Sequence, residues 1–198
     1  HSSGTSNQQA IAFSRYAWCL PRMPTVKVQK ITTGHTGAGG TFTFADTNLT
    51  GTIASISTTA PSTATPASPT ALPATTINTD VTITETPASG FALSSATCTD
   101  ANSGSTGNPA SFGSLAGNVL TIPATNMRAG ADITCTFTNR KTAQLTLRKT
   151  WTNAKVNDAV TVTTAGGTVN PSFASVANSA NETDTGTATT VFAGETLT

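Results

Sequence analysis

The sequence predicts an all-β protein: a Greek-key β-sandwich of about seven strands, followed by a second, incomplete sandwich. Three observations predict it. Charged residues make up only 10% of the 198 residues, against roughly 25% in an average soluble domain. Thr, Ser, Ala and Gly fill the difference, and β-branched Thr suits half-exposed strands. Short runs alternate apolar and polar residues between turn signals, and no segment shows a convincing 3.6-residue apolar period. Finally, VKVQKITTG at 26–34 corresponds position by position to LTLRKTWTN at 145–153. That spacing is the length of a domain rather than of a solenoid repeat.

Residues 1–24 read as an N-terminal tail or a possible donor segment, with Phe13, Tyr16 and Trp18 as its aromatic content. Residues 25–141 read as a complete sandwich module. Its expected strands are Val26–Thr32, Thr41–Ala45, Gly51–Ser57, Asp80–Glu85, Phe91–Thr99, Val119–Ile122 and Asp132–Asn139. GHTGAGG at 34–40 is a flexible hairpin loop, and Gly117-Asn118 is a turn signal. The Thr-, Ala-, Pro- and Ser-rich stretch 58–76 is either an exposed loop or an edge strand blunted by proline. Residues 142–198 read as the first half of a second module of the same type. GGTVNPSF at 166–173 echoes GGTFTF at 39–44, and Trp151 is expected to cover the joint between modules.

Strand side chains alternate faces with period two. Val26, Val28 and Lys30 therefore share one face, as do Val81, Ile83 and Glu85, and Ile133, Cys135, Phe137 and Asn139. In each strand a polar residue ends an apolar row on the side that turns inward. A buried charge without a partner is expensive, so a Lys, a Glu and an Asn aimed at one core require an explanation. The repeat places Lys149 where Lys30 stands in the first copy. Cys98 and Cys135 are expected to form a disulfide within the first module, which implies an oxidising compartment; two buried free thiols are the alternative. Cys19 is left over.

Lys on the first strand, ETPASGF after a middle strand and TFTN on the last together resemble the CnaB/SpaA-like modules of bacterial surface adhesins, pilins and extracellular fibre proteins. These are prealbumin-like, Ig-like sandwiches that occur as tandem repeats. The resemblance implies a candidate intramolecular isopeptide bond, with Lys30 as nucleophile, Asn139 as acceptor and Glu85 as proton relay. Only Lys149 has a counterpart in the second copy. The sequence departs from the family pattern in lacking an Asp shortly after Lys30. The reading favoured by sequence is therefore plainer: an ion pair of Lys30 and Glu85 capped by Asn139, or a Lys30 that snorkels to solvent.

The net charge of +1 comes with no basic run, so no nucleic-acid partner is expected. No apolar stretch is long enough to span a membrane as a helix. The Cys and His spacings match no zinc pattern, and Asp46, Asp80, Asp100, Asp132 and Asp184 read as isolated turn residues rather than calcium ligands. No metal, cofactor or catalytic residue is expected. The resulting expectation is a non-enzymatic structural module of an extracellular bacterial surface protein: a stalk or adhesin repeat, or a pilus-like fibre subunit. Its partners would be copies of itself or neighbouring modules, and in its sharper form β-strand donation from residues 9–20 would join them. The alternative is a carbohydrate- or host-protein-binding module.

Overall fold

The structure, a computed structural model, describes residues 20–198. Residues 1–19 of the expected tail, with Cys19 and all but the last residue of the expected donor segment, lie outside the described residues; the rest of the tail joins the first module, its Arg22 and Pro24 carbonyls accepting from the Gly130 and Ala74 amides. Alternation sets the first strand, β1 (Thr25–Thr33), in which Val26, Val28, Lys30 and Thr32 are buried. β2 (Thr41–Asp46) follows the glycine-rich loop, and β3 (Ile56–Ser57) and β4 (Leu72–Pro73) are two-residue edge pieces. β5 (Val81–Thr86) and β6 (Phe91–Asp100) flank the turn after Glu85. A single helical turn, α1 (Ser103–Thr106), leads to the hairpin of β7 (Ser114–Ala116) and β8 (Val119–Ile122). The longest strand, β9 (Asp132–Leu145), comes next. Beyond it lie β10 (Arg148–Trp151), β11 (Ala159–Thr163), β12 (Ser172–Val176), β13 (Glu182–Thr185) and β14 (Thr189–Phe192).

Two sheets face each other. One runs β6-β9-β1-β4 and the other β3-β2-β5-β8-β7. β1 lies parallel to β9 from Thr25↔Asp132 to Thr33↔Arg140, while β6 is antiparallel on the other side of β9. The inward rows meet in one core that includes Val26, Ile83, Leu120, Ile122, Met127 and Ile133, all fully or almost fully buried. This is a β-sandwich, as the alternating runs predict, and of the prealbumin-like kind that the resemblance implies.

The differences from expectation lie at the edges. The run expected as a strand over Gly51–Ser57 pairs only at Ile56–Ser57. Its earlier part forms no strand, and just before it Leu49 bridges to Ala74 beside β4. The proline-rich stretch 58–76 follows the edge of β1, touching it at Thr65 and again at Leu72–Pro73. β7 pairs with β8 through the predicted Gly117 turn but was not itself expected. Its three residues are too few for alternation to register.

Cys98 and Cys135 stand directly opposite each other on β6 and β9 and form a disulfide, with Cα atoms 4.0 Å apart. Between Asn139 and Thr142 the chain does not turn: β9 runs straight through. Its last residues, Thr142–Leu145, pair with β14 beyond the point where β1 ends. β10 pairs with β13 and β11 with β12, each as a two-stranded ribbon. Trp151, expected at the joint, turns its indole N–H into the C-terminal strands. Its Nε1 donates to Ser175 Oγ at 2.8 Å and to Asp184 Oδ2 at 3.3 Å, within the C-terminal strands.

Candidate functional site

Lys30, Glu85 and Asn139 come from three strands and two sheets, and the fold brings them together. Lys30 is 0%, Glu85 1% and Asn139 0% exposed. Snorkelling is thereby excluded: the Lys30 amine ends inside the sandwich. The strand register explains the convergence. Lys30 sits opposite Phe137, and Asn139 sits opposite Thr32, two residues further along the parallel pair. The four-carbon lysine stem runs along the inner face far enough to bring Nζ to the Asn139 amide. Glu85 descends from the facing sheet, where it pairs with Phe44.

The contacts form a closed triangle. Lys30 Nζ donates to Glu85 Oε2 at 2.6 Å and also to Asn139 Oδ1. Asn139 Nδ2 donates to Glu85 Oε1 at 2.5 Å. Each carboxylate oxygen thus serves one partner, and the nucleophile and the amide it could attack share one acid. The Phe42 ring lies 4.4 Å and the Phe137 ring 5.9 Å from Nζ. Burial in this apolar surrounding lowers the Lys30 pKa from 10.5 to about 8, against the opposing pull of the hydrogen bond and negative charge of Glu85.

The glycine-rich loop closes one side of the core. Thr32, buried on the Lys30 face, donates through Oγ1 to Thr58 Oγ1 at 2.9 Å. It also shares a 2.8 Å hydrogen bond with His35 Nε2. Gly39 lies so close that an added Cβ would stand 2.0 Å from Thr58 Oγ1, so only glycine lets the loop seat there. His35 packs edge-on against Phe91, which packs in turn against Phe42. Sequence reasoning treated His35 only as a loop residue and did not single out Thr32. The available signal was Thr32's place two residues beyond Lys30 on the same face.

The structure does not reproduce this triangle around Lys149. Half-buried, its Nζ lies 4.5 Å from the Trp151 ring, and its cross-strand neighbour is Asp184. Asp184 accepts from Ser175 Oγ at 2.6 Å. The isolated aspartates mostly serve local roles. Asp100, for example, accepts from Thr106 Oγ1, Asn108 Nδ2 and the Asn102 and Asp132 amides. Those hydrogen bonds outweigh its desolvation and hold its pKa below the usual carboxylate value.

A family model described as a prealbumin-like fold domain of the SpaA type matches residues 26–141, from the second residue of β1 to the Lys141 that follows the Asn139 site. The chain belongs to the SpaA-like prealbumin-fold family. No curated protein and no solved structure matches it. The matched span contains all three members of the buried triangle and both disulfide cysteines. SpaA-like domains are in general structural modules rather than enzymes, and are typical of extracellular and cell-surface proteins. Among the described residues no helix is long and apolar enough to cross a membrane.

Proposed function

We propose that the chain is a non-enzymatic structural element of a bacterial surface protein, a stalk repeat or fibre subunit, whose first module staples itself. The observation that carries this reading is the contact of Lys30 Nζ with the Asn139 amide under a shared Glu85, in a site closed to water. A surface fibre has to resist proteases and mechanical force, and a covalent link between first and last strands ties the ends of the module together. Pulling force then passes along the parallel β1–β9 pair without opening the sandwich.

The chemistry balances within the triangle. The neutral Lys30 amine attacks Cγ of Asn139, forming a new C–N bond. Glu85 takes a proton from the attacking nitrogen and delivers one to the departing amide nitrogen. The Cγ–Nδ2 bond breaks, ammonia leaves, and the product is a secondary amide with no net redox change. The lowered Lys30 pKa supports the first step, because only the neutral amine is nucleophilic.

Residues 142–198 open a second module of the same type in this reading, with Lys149 as the counterpart of Lys30. β10 has only β13 beside it among the described residues. Its other edge is suited to receive a strand, and residues 9–20 of a neighbouring copy are the proposed donor. Intact-mass spectrometry of the purified, unreduced chain tests the staple. The mass should fall short of the sequence mass by one ammonia beyond the disulfide's two hydrogens. Asn139→Ala and Lys30→Ala variants should show no ammonia loss, and Glu85→Gln should react slowly or not at all. Full sequence mass, less only the disulfide hydrogens, would rule the staple out.

A further inference from the structure

The pairing along the outer edge of β1 is interrupted at one residue. Pro24 and Val26 engage the β4 segment: the Ala74 amide donates to the Pro24 carbonyl, and Val26 pairs with Leu72. Lys30 exchanges both of its backbone hydrogen bonds with Thr65. In a strand, alternate residues direct their N–H and C=O to the same side. Val28, lying between Val26 and Lys30, therefore turns its amide and carbonyl away from β9 toward this edge. Among the described residues none meets them there: the edge pairing passes from Leu72 opposite Val26 to Thr65 opposite Lys30, and residues 66–71 form no bridge to β1. Pro66 and Pro69 in that stretch carry no N–H to offer a neighbouring strand.

A cavity of about 270 Å³ lies over the Val28 edge. Val26, Ile53, Ile56 and Leu72 are among its apolar lining residues, and Ser55 and Thr70 are among its hydroxyl-bearing ones. None of the lining residues carries a charge. A backbone donor and acceptor on this apolar wall, with Val28 only 5% exposed, favour a ligand that supplies a partner to each, since covering them without one forfeits the hydrogen bond and keeps the desolvation cost.

These features define a ligand. It must be neutral and present one acceptor and one donor at peptide spacing. It must also carry a small apolar group, and it must end in the cavity. A continuous peptide strand does not fit, because the Thr65 and Leu72 pairings close the β1 edge on both sides. The volume also lies just under the roughly 300–1,000 Å³ of drug-sized pockets. We propose that this cavity is a binding site for an N-acetylated sugar, with the acetamido C=O and N–H completing the Val28 edge, the methyl group against Ile53 and Ile56, and the sugar hydroxyls meeting Ser55 and Thr70. The site is independent of the Lys30 staple and adds a recognition role to a structural module. No aromatic ring lines it, so selectivity resides in the acetamido group rather than in stacking on the sugar face.

The test is an amide-resolved NMR titration of the full chain with N-acetylglucosamine, glucosamine and an Nε-acetyl-lysine peptide. N-acetylglucosamine should shift the Val28 amide together with residues 52–57 and saturate. Glucosamine, which lacks the acetyl group, should bind at least about tenfold more weakly. The peptide should also bind at least about tenfold more weakly, because it brings no sugar hydroxyls to the lining. Ala54→Phe fills the exposed mouth of the cavity and should abolish the shifts while leaving the Asn139 amide signal in place. Absence of a Val28 response overturns the proposal. So does equal binding of glucosamine or of the acetyl-lysine peptide, or survival of the response in Ala54→Phe.

Discussion

At the residue scale, three polar side chains behave as a unit because none can be satisfied alone. Removing Glu85 leaves a buried amine and a buried amide short of their acceptor; removing Lys30 leaves a buried carboxylate without its cation. Period-two alternation made all three legible as inward residues on separate strands. Their mutual contact was not legible. It depends on the β1–β9 register, which sets Asn139 two residues beyond the Phe137 that faces Lys30, and on Glu85 arriving from the opposite sheet. The plainer ion-pair reading favoured by sequence accounts for the Lys30–Glu85 contact but gives Asn139 only a capping role. In the structure, Asn139 bonds to both partners. One pH dependence follows for the Asn139→Ala chain, which keeps the Lys30–Glu85 pair and has no amide to attack. With the folded Lys30 pKa near 8 and the ordinary value 10.5, the unfolded chain binds a proton between those values that the folded chain does not. Stability should therefore rise with pH across that window and level off above it. The burial penalty is felt in full below about pH 8. Urea unfolding at pH 7, 9 and 10.5 measures it; a flat or falling Lys30-dependent contribution would contradict the assignment.

At the element scale, β9 is the central strand of its sheet. It carries the disulfide to β6, the Asn139 contact to β1, and the pairing with β14. The sequence located its first eight residues through CTFTN, but not its continuation to Leu145. Residues after Asn139 lose the inward apolar alternation because Thr142–Leu145 no longer cover the first core. The disulfide closes a loop with a sequence separation of 37, and chain-entropy arguments assign such a loop about 3–4 kcal/mol. A Cys98→Ala/Cys135→Ala chain should lose about that much stability in urea unfolding. It should still lose ammonia, because the β1–β9 ladder, not the disulfide, positions Asn139. Loss of both together would show that the two links depend on each other. The edge pieces β3 and β4 were only partly legible. Two-residue strands carry no periodicity, and the bridges of Leu49 to Ala74 and of Thr65 to Lys30 flank them.

At the scale of the whole molecule, the C-terminal strands are tied back to the first sandwich. Arg140 pairs with Glu195 at 2.8 Å and lies 4.3 Å from the Phe192 ring. The Ala193 amide donates to the Lys141 carbonyl at 2.8 Å. Thr168 donates to Glu195 through both its amide and its hydroxyl, joining the loop before β12 to the same anchor. Arg140→Ala removes both the ion pair and the cation–π contact. Hydrogen exchange should then quicken at Thr189–Phe192 and remain slow at Val26–Lys30; uniform quickening would mean that the change disturbs the first core instead. The C-terminal strands are less enclosed: Val160 and Val176 are 38% and 47% exposed, whereas the corresponding early strand β2 buries Phe42 completely. Exposed apolar strand residues beside an open edge favour association. If strand donation completes that region, the native material should form filaments in electron microscopy, and removal of residues 1–20 should leave monomers. Filaments that persist without those residues would exclude them as the donor.

Composition and alternation determined by themselves that the chain is all-β and which residues of the first module face inward. Those properties are local: they depend on side-chain type and a two-residue period. Only the tertiary structure decided which inward residues touch, that β9 passes unbroken beyond Asn139, and that Val28 has no strand partner on the β1 edge among the described residues. Each of these depends on register between strands far apart in sequence, and a single strand's pattern carries no information about its partner's offset.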